Sequence, residues 1–115
     1  MRRGEIWVVD LDPSAGSEAN KTRPAVLVSN DAANRRADQL GRGVVTVVPV
    51  TSSTSRVLPF QLLLPAEATG LRSGSKAQAE QVRSLDVTRL RSRIGRVPPD
   101  LMTSLDAALR VHLGL

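Results

Sequence analysis

Val44-Val45-Thr46-Val47-Val48-Pro49-Val50 is the most β-branched stretch of the chain. Such side chains suit a pleated, packed surface, so the run reads as a central, buried strand. Pro49 cannot donate to a ladder, and the strand is expected to bulge there or to lie at a sheet edge. Gly41 and Gly43 bracket the turn leading in, and the hydroxyl-rich loop Thr51-Ser52-Ser53-Thr54-Ser55-Arg56 leads out. Upstream, Glu5 to Leu11 forms a first strand that sets Trp7, Val9 and Leu11 on one face and Ile6 and Val8 on the other. Apolar residues on both faces imply burial on two sides, one of which could be supplied by another subunit. A long polar loop, Asp12 to Thr22, follows, and Pro24 to Ser29 is the second strand. Downstream, Phe60 to Leu64, Ser75 to Arg83 and Ser92 to Val97 read as further strands, with one helical turn over Asp86 to Leu90.

Two helices fit between and after these runs. Asp31 can cap a short helix reaching about Leu40, with Asn34, Arg35 and Arg36 on its wet side. At the C-terminus, Pro98-Pro99 suits a first turn and Asp100 complements the helix dipole. Leu101, Leu105, Ala108 and His112, with Met102 and Leu109 beside them, form an apolar stripe at helical spacing. With no repeat or linker in sight, residues 1–115 are expected to be one domain: a small, mostly antiparallel β-barrel closed by a C-terminal α-helix.

Composition narrows the chemistry. Sixteen Lys and Arg against eleven Asp and Glu leave a net charge of +5, a field suited to RNA, DNA or an acidic protein, although an arginine-rich solvated surface gives the same balance. Cysteine is absent, which removes disulfides, thiol nucleophiles and Cys-ligated metals. Neither a signal-peptide core nor a run approaching the ~20 apolar residues of a membrane span occurs. A cytoplasmic protein is the expectation. No Walker loop or GxGxxG is present, so no nucleotide cofactor is expected. His112 is the only histidine, so a two-histidine ribonuclease mechanism and an ordinary Ser-His-Asp triad are both out of reach. Its place on the apolar stripe favours packing. The carboxylates are scattered and suggest no two-metal site.

Three polar segments beside strands remain. Gly16-Ser17-Glu18 runs through Asn20 and Lys21 to Arg23-Pro24 and delivers an arginine, whose planar fork matches a phosphate, to the mouth of a strand. Thr51-Ser52-Ser53, with Arg56 nearby, offers a row of hydroxyl donors. Glu80-Gln81-Val82-Arg83 ends a strand. Each also has an ordinary reading, as a capped turn, a Ser/Thr-rich loop and a solvated strand edge. For RNA such a sparse set suffices, because the 2′-OH is a nucleophile already beside the phosphorus. The protein must splay the strand for in-line attack, stabilise the phosphorane and move two protons.

The ordered blocks Arg3-Gly4-Glu5-Ile6-Trp7, Asp10-Leu11-Asp12-Pro13, Gly16-Ser17-Glu18, Arg23-Pro24-Ala25-Val26-Leu27-Val28-Ser29-Asn30-Asp31 and Glu80-Gln81-Val82-Arg83 resemble those of the MazF/PemK toxins. The ending, Ile94-Gly95-Arg96-Val97 before a Leu-rich helix, fits the same pattern. The resemblance spans essentially the whole chain. It implies an SH3-like barrel that pairs as a homodimer, and metal-free cleavage of single-stranded RNA (mRNA, tRNA or rRNA) at a short sequence, leaving a 2′,3′-cyclic phosphate and a 5′-OH. It further implies a MazE-like antitoxin partner, with operator DNA reached only through that antitoxin, and no cofactor. The family's catalytic arginine and threonine fall on Arg23 and Thr51. Ser17, Glu18, Glu80, Gln81 and Arg83 match positions that shape or line the RNA groove. Loop position and charge add Asn20, Lys21, Ser52, Ser53 and Arg56.

Two features depart from that pattern. Many members carry glycine just before the Arg-Pro block, where this chain has Asn20-Lys21-Thr22. Trp7 and Phe60 are the only aromatics and are expected in the core, so bases would be held without the stacking usual in single-strand binding. A non-catalytic alternative also exists, since the same barrel in CcdB toxins binds DNA gyrase and fold does not fix function.

Overall fold

The computed structural model describes residues 1–115. Seven strands, β1 (Glu5–Asp10), β2 (Thr22–Leu27), β3 (Val44–Thr51), β4 (Gln61–Leu64), β5 (Ser75–Gln78), β6 (Arg83–Asp86) and β7 (Leu90–Arg96), pair antiparallel throughout. Three helices join them: α1 (Asp31–Leu40), the short α2 (Ala66–Thr69) and α3 (Pro99–Leu113). The order along the sheet is β4-β5-β3-β2-β1-β7, with β6 also on β3.

β3 is the hub. One edge pairs with β2, while the other changes partner, from β6 at Val44–Val47 to β5 at Val50 and Thr51. Pro49 stands in the gap between those two partners and is buried opposite Ala25. The expected disruption is therefore a change of neighbour in the middle of the sheet, where a missing N–H costs least, and not a sheet edge.

Strong bending gives the sheet two cores. Ile6, Val26, Val48, Val50, Leu64, Ala77 and Leu105 pack in one, Val9, Leu11, Ala25, Leu27, Val45, Val47 and Leu85 in the other. Strict alternation along β1, β2 and β3 sends successive residues to opposite cores. β1 thus buries both faces within one subunit. At about 25 cal/mol per Å² of apolar area, each buried Val or Leu contributes roughly 1.5–3 kcal/mol. Helix α3 covers the first core with Leu105, flanked by Leu101, Met102 and Leu109, while Ala37 of α1 joins the second.

Several local expectations need correction. The N-cap of α1 is Asn30, whose side chain accepts from the Ala33 N–H at 2.8 Å, and Asp31 sits in the first turn. Asn34 is fully buried, not on the wet side: its Nδ2 donates to the Ser29 carbonyl at 2.8 Å and its Oδ1 accepts from the Ser29 hydroxyl, which in turn accepts from the Thr46 N–H. The expected strand from Ser75 to Arg83 breaks into β5, a 3₁₀ turn over Ala79–Gln81, and β6. His112 lies at the exposed end of α3, 6.3 Å between ring centroids from Phe60.

Candidate active site and nucleic-acid interface

Arg23 enters the site from the start of β2, paired with Val9 of β1. The β2–β3 register sets Ala25 opposite Pro49 and Leu27 opposite Val47. That pairing ends at Ala25 and Pro49, and Arg23 lies two residues further along β2, as Thr51 does along β3. Thr51 is in turn paired with Lys76 of β5. Directly opposed residues share a face, with Cβ atoms about 4.5–5.5 Å apart. Thr51 and Lys76 are therefore neighbours on one face, with Arg23 on the adjoining strand β2.

The guanidinium of Arg23 is held by Asn20: Nε donates to its carbonyl at 2.8 Å and Nη2 to its Oδ1 at 3.2 Å. Asn20 thus holds the arginine in place. Nη1 is left uncommitted. Lys21 adopts a left-handed φ of +64°, a conformation that costs a residue with a Cβ about 1–2 kcal/mol and glycine almost nothing. The missing glycine noted above is thus a position whose backbone still has the glycine conformation. Lys21 is held there because its N–H donates to Asp12 Oδ1 at 3.0 Å and its carbonyl accepts from the Leu11 N–H at 2.9 Å.

The Glu80–Arg83 block grips the first loop from the other side. Gln81 Oε1 accepts from the Ala19 N–H and its Nε2 donates to the Ser17 carbonyl, both at 2.9 Å. Arg83 Nη1 donates to the Leu11 carbonyl at 3.0 Å. Glu80 Oε2 accepts from Gln61 Nε2 at 2.7 Å, while the buried Oε1 meets no donor on the chain. Glu18, Ala19 and Glu80 to Arg83 line a cleft of about 360 Å³. The 3₁₀ turn places Glu80 and Gln81 here; strand alternation does not apply to them.

A larger cleft of about 690 Å³ opens beside Arg23, with Thr22, Ser52, Arg72, Ser73 and Ser75 supplying polar groups and Val8, Pro24, Val50, Leu71 and Ile94 an apolar floor. No carboxylate lines it. Thr51 lies on the opposite face of β3 from Val50 and is not in that lining. Its Oγ1 accepts from the Ser53 N–H at 3.3 Å, at the root of the exposed Ser/Thr loop. Arg56 is tied in through its backbone, its carbonyl accepting from Lys76 Nζ at 2.6 Å.

Two clefts thus carry the cations Arg23, Arg72 and Arg83 and several hydroxyls in their linings, a surface suited to a phosphodiester. A profile described as PemK-like, MazF-like toxin of type II toxin–antitoxin system matches residues 2–113. The chain belongs to the PemK/MazF-like toxin family. It is 62% identical over 115 residues, all of this chain and 98% of the relative, to Endoribonuclease MazF9 of Mycobacterium tuberculosis. MazF of Deinococcus radiodurans superposes with a TM-score of 0.83 at 30% identity, covering 100% of this chain and 97% of that one. An endoribonuclease from a mycobacterial species, solved with its cognate antitoxin, gives a TM-score of 0.78 at 27% identity over 100% and 96% of the two chains. The mostly β barrel with its C-terminal helix is therefore the family fold.

The sequence of this PemK/MazF-like chain singled out Arg23, Thr51 and the first loop. It missed Lys76, Arg72 and Ser73. Lys76 comes beside Thr51 only through the phase of β5 against β3, and Arg72 reaches the cleft from a loop with no motif. No three of the Asp, Glu and His side chains converge as a metal-holding group, and no helix is long and apolar enough to cross a membrane.

Proposed function

We propose that this chain is an endoribonuclease toxin that cuts single-stranded RNA at a short sequence without a metal ion, and that residues 1–115 act as one toxin domain. The observation that carries the reading is the guanidinium of Arg23, held by Asn20 with one nitrogen uncommitted, in a cleft that no carboxylate lines. The RNA's 2′-OH attacks the adjacent phosphorus, the bond from phosphorus to O5′ breaks, and the 2′,3′-cyclic phosphate and 5′-OH remain. Arg23 donates to the non-bridging oxygens as charge grows on the phosphorane, and Thr51 donates from β3. Ser17, Glu18, Ser52, Ser53 and Lys21 serve as contacts for the neighbouring nucleotides, while Gln81, Arg83 and Asn20 keep the loop and the arginine in register. Glu80 Oε1 is an acceptor suited to a base N–H.

The relatives' names support this reading over gyrase binding, which is not favoured: MazF9, identical at 62% of positions over the full chain, is named an endoribonuclease. Solved relatives include an endoribonuclease with its cognate antitoxin and a MazE–MazF complex, which supports restraint by a MazE-like antitoxin; a cytoplasmic homodimer is the working form proposed with it. The test is incubation of the protein with a single-stranded RNA oligonucleotide in EDTA, followed by analysis of fragment ends. Cyclic phosphate and 5′-OH termini are the expected products. Cleavage that needs added Mg²⁺, or products ending in 5′-phosphate, would overturn the mechanism.

A further inference from the structure

Lys76 stands beside Thr51, and the proposed reaction gives it no role. It is half-buried on β5 and pairs directly with Thr51. Its ammonium makes no ion pair and rests on a single neutral acceptor, the Arg56 carbonyl at 2.6 Å. That acceptor belongs to the exposed Ser/Thr loop, so the resting contact is easily exchanged for a stronger, charge-assisted one. A phosphate seated over Thr51 would have Lys76 beside it on β5, a second cation in addition to Arg23 of β2. The two cations differ in kind: Arg23 is a planar fork fixed by Asn20, whereas Lys76 is a compact charge on a flexible stem that can follow the phosphorus as its geometry changes.

We propose that Lys76 is a further phosphate-contacting residue of the site. On RNA binding its ammonium leaves the Arg56 carbonyl and donates to a non-bridging oxygen of the reacting phosphate, on the side of Thr51 away from Arg23. The inference rests on the Arg23–Thr51 assignment and adds a charge that assignment does not need.

The chain has no cysteine, so Lys76→Cys can be alkylated at one place, and 2-bromoethylamine rebuilds an ammonium at nearly the length of lysine. Lys76→Cys and Lys76→Gln are expected to lower kcat roughly 10–100-fold, below the loss typical of a fixed oxyanion donor because the lysine is mobile. Aminoethylation of the cysteine variant should restore most of that loss, whereas alkylation with iodoacetamide, neutral and of similar bulk, should restore none. Affinity for an RNA made uncleavable by a 2′-deoxy group should fall less steeply with salt by about 0.7 in the log–log slope, the share of one single-strand phosphate contact. If wild type cuts RNA and Arg23→Ala does not, yet both Lys76 variants keep wild-type kcat and salt slope, the Lys76 role is wrong while the site stands. Rescue by iodoacetamide as well as by bromoethylamine would reduce Lys76 to a tether for the loop and reject the proposal. A wild-type protein that leaves RNA whole refutes the function itself.

Discussion

Arg23 combines a fixed base with a free end: two of its nitrogens are bound to Asn20 and the third faces the site. Arg23→Ala should lower kcat by about 10²–10³ with an unchanged melting temperature, since the residue lies at a loop–strand junction outside both cores. Thr51→Ala should be similar or milder. Asn20→Ala removes the Nη2 bond to Oδ1 but keeps the Nε bond to the backbone carbonyl, and a rate loss smaller than that of Arg23→Ala is expected. Lys21 carries the opposite kind of constraint. Lys21→Gly should raise stability in urea unfolding by up to about 1 kcal/mol, because glycine adopts the left-handed conformation without penalty. A loss of stability on that change would mean that the lysine side chain, not the backbone, holds the loop.

At the scale of elements, the first loop and the sheet are joined by a few specific contacts. Gln81 bonds two backbone groups of the loop at once, so Gln81→Leu should free the segment from Ser14 to Thr22. Faster limited proteolysis there and a raised KM are the expected signs. Gly95 is a point of close approach: a Cβ there would lie 1.9 Å from the Thr69 carbonyl oxygen. Gly95→Ala should therefore force α2 away from β7 and cost about 3 kcal/mol in denaturant unfolding. The strong elements were legible because their patterns are local. The β-branched run of β3 and the leucine stripe of α3 announce themselves, and Arg23-Pro24 marks its own strand mouth. The four-residue α2 has no pattern of its own. Asn34 gave no sign of burial because its partner, Ser29, is itself fixed from another element by the Thr46 N–H. Lys76 is silent for the same reason, since its neighbour is set by how β5 registers on β3.

For the whole molecule, charge and pH are the accessible levers. Burial raises the Glu5 carboxyl, but hydrogen bonds from the Arg2 backbone, Trp7 Nε1 and Arg93 outweigh it, and the group ends below the ordinary value of 4.5. A carboxylate depressed by folding stabilises the native state above its unfolded pKa. That contribution is lost as the pH falls from about 4.5 through the folded value. Glu5→Gln should lower stability at neutral pH and flatten the acid limb of the stability curve below that point. At the level of assembly, the +5 charge suits an acidic antitoxin tail that orders over the basic surface and competes with RNA. The central claim is that a metal-free site built on Arg23 and Thr51 uses the RNA's own 2′-OH. The most direct measurement compares wild type and Arg23→Ala in EDTA on one RNA oligonucleotide, and on its copy bearing a single 2′-deoxy group at the mapped cut. The account predicts that wild type cuts the first to a cyclic phosphate and leaves the second whole, with the variant at a hundredth of the rate or less. Cutting of the deoxy copy at the same bond, or a folded Arg23→Ala protein retaining a tenth of the rate, would contradict it.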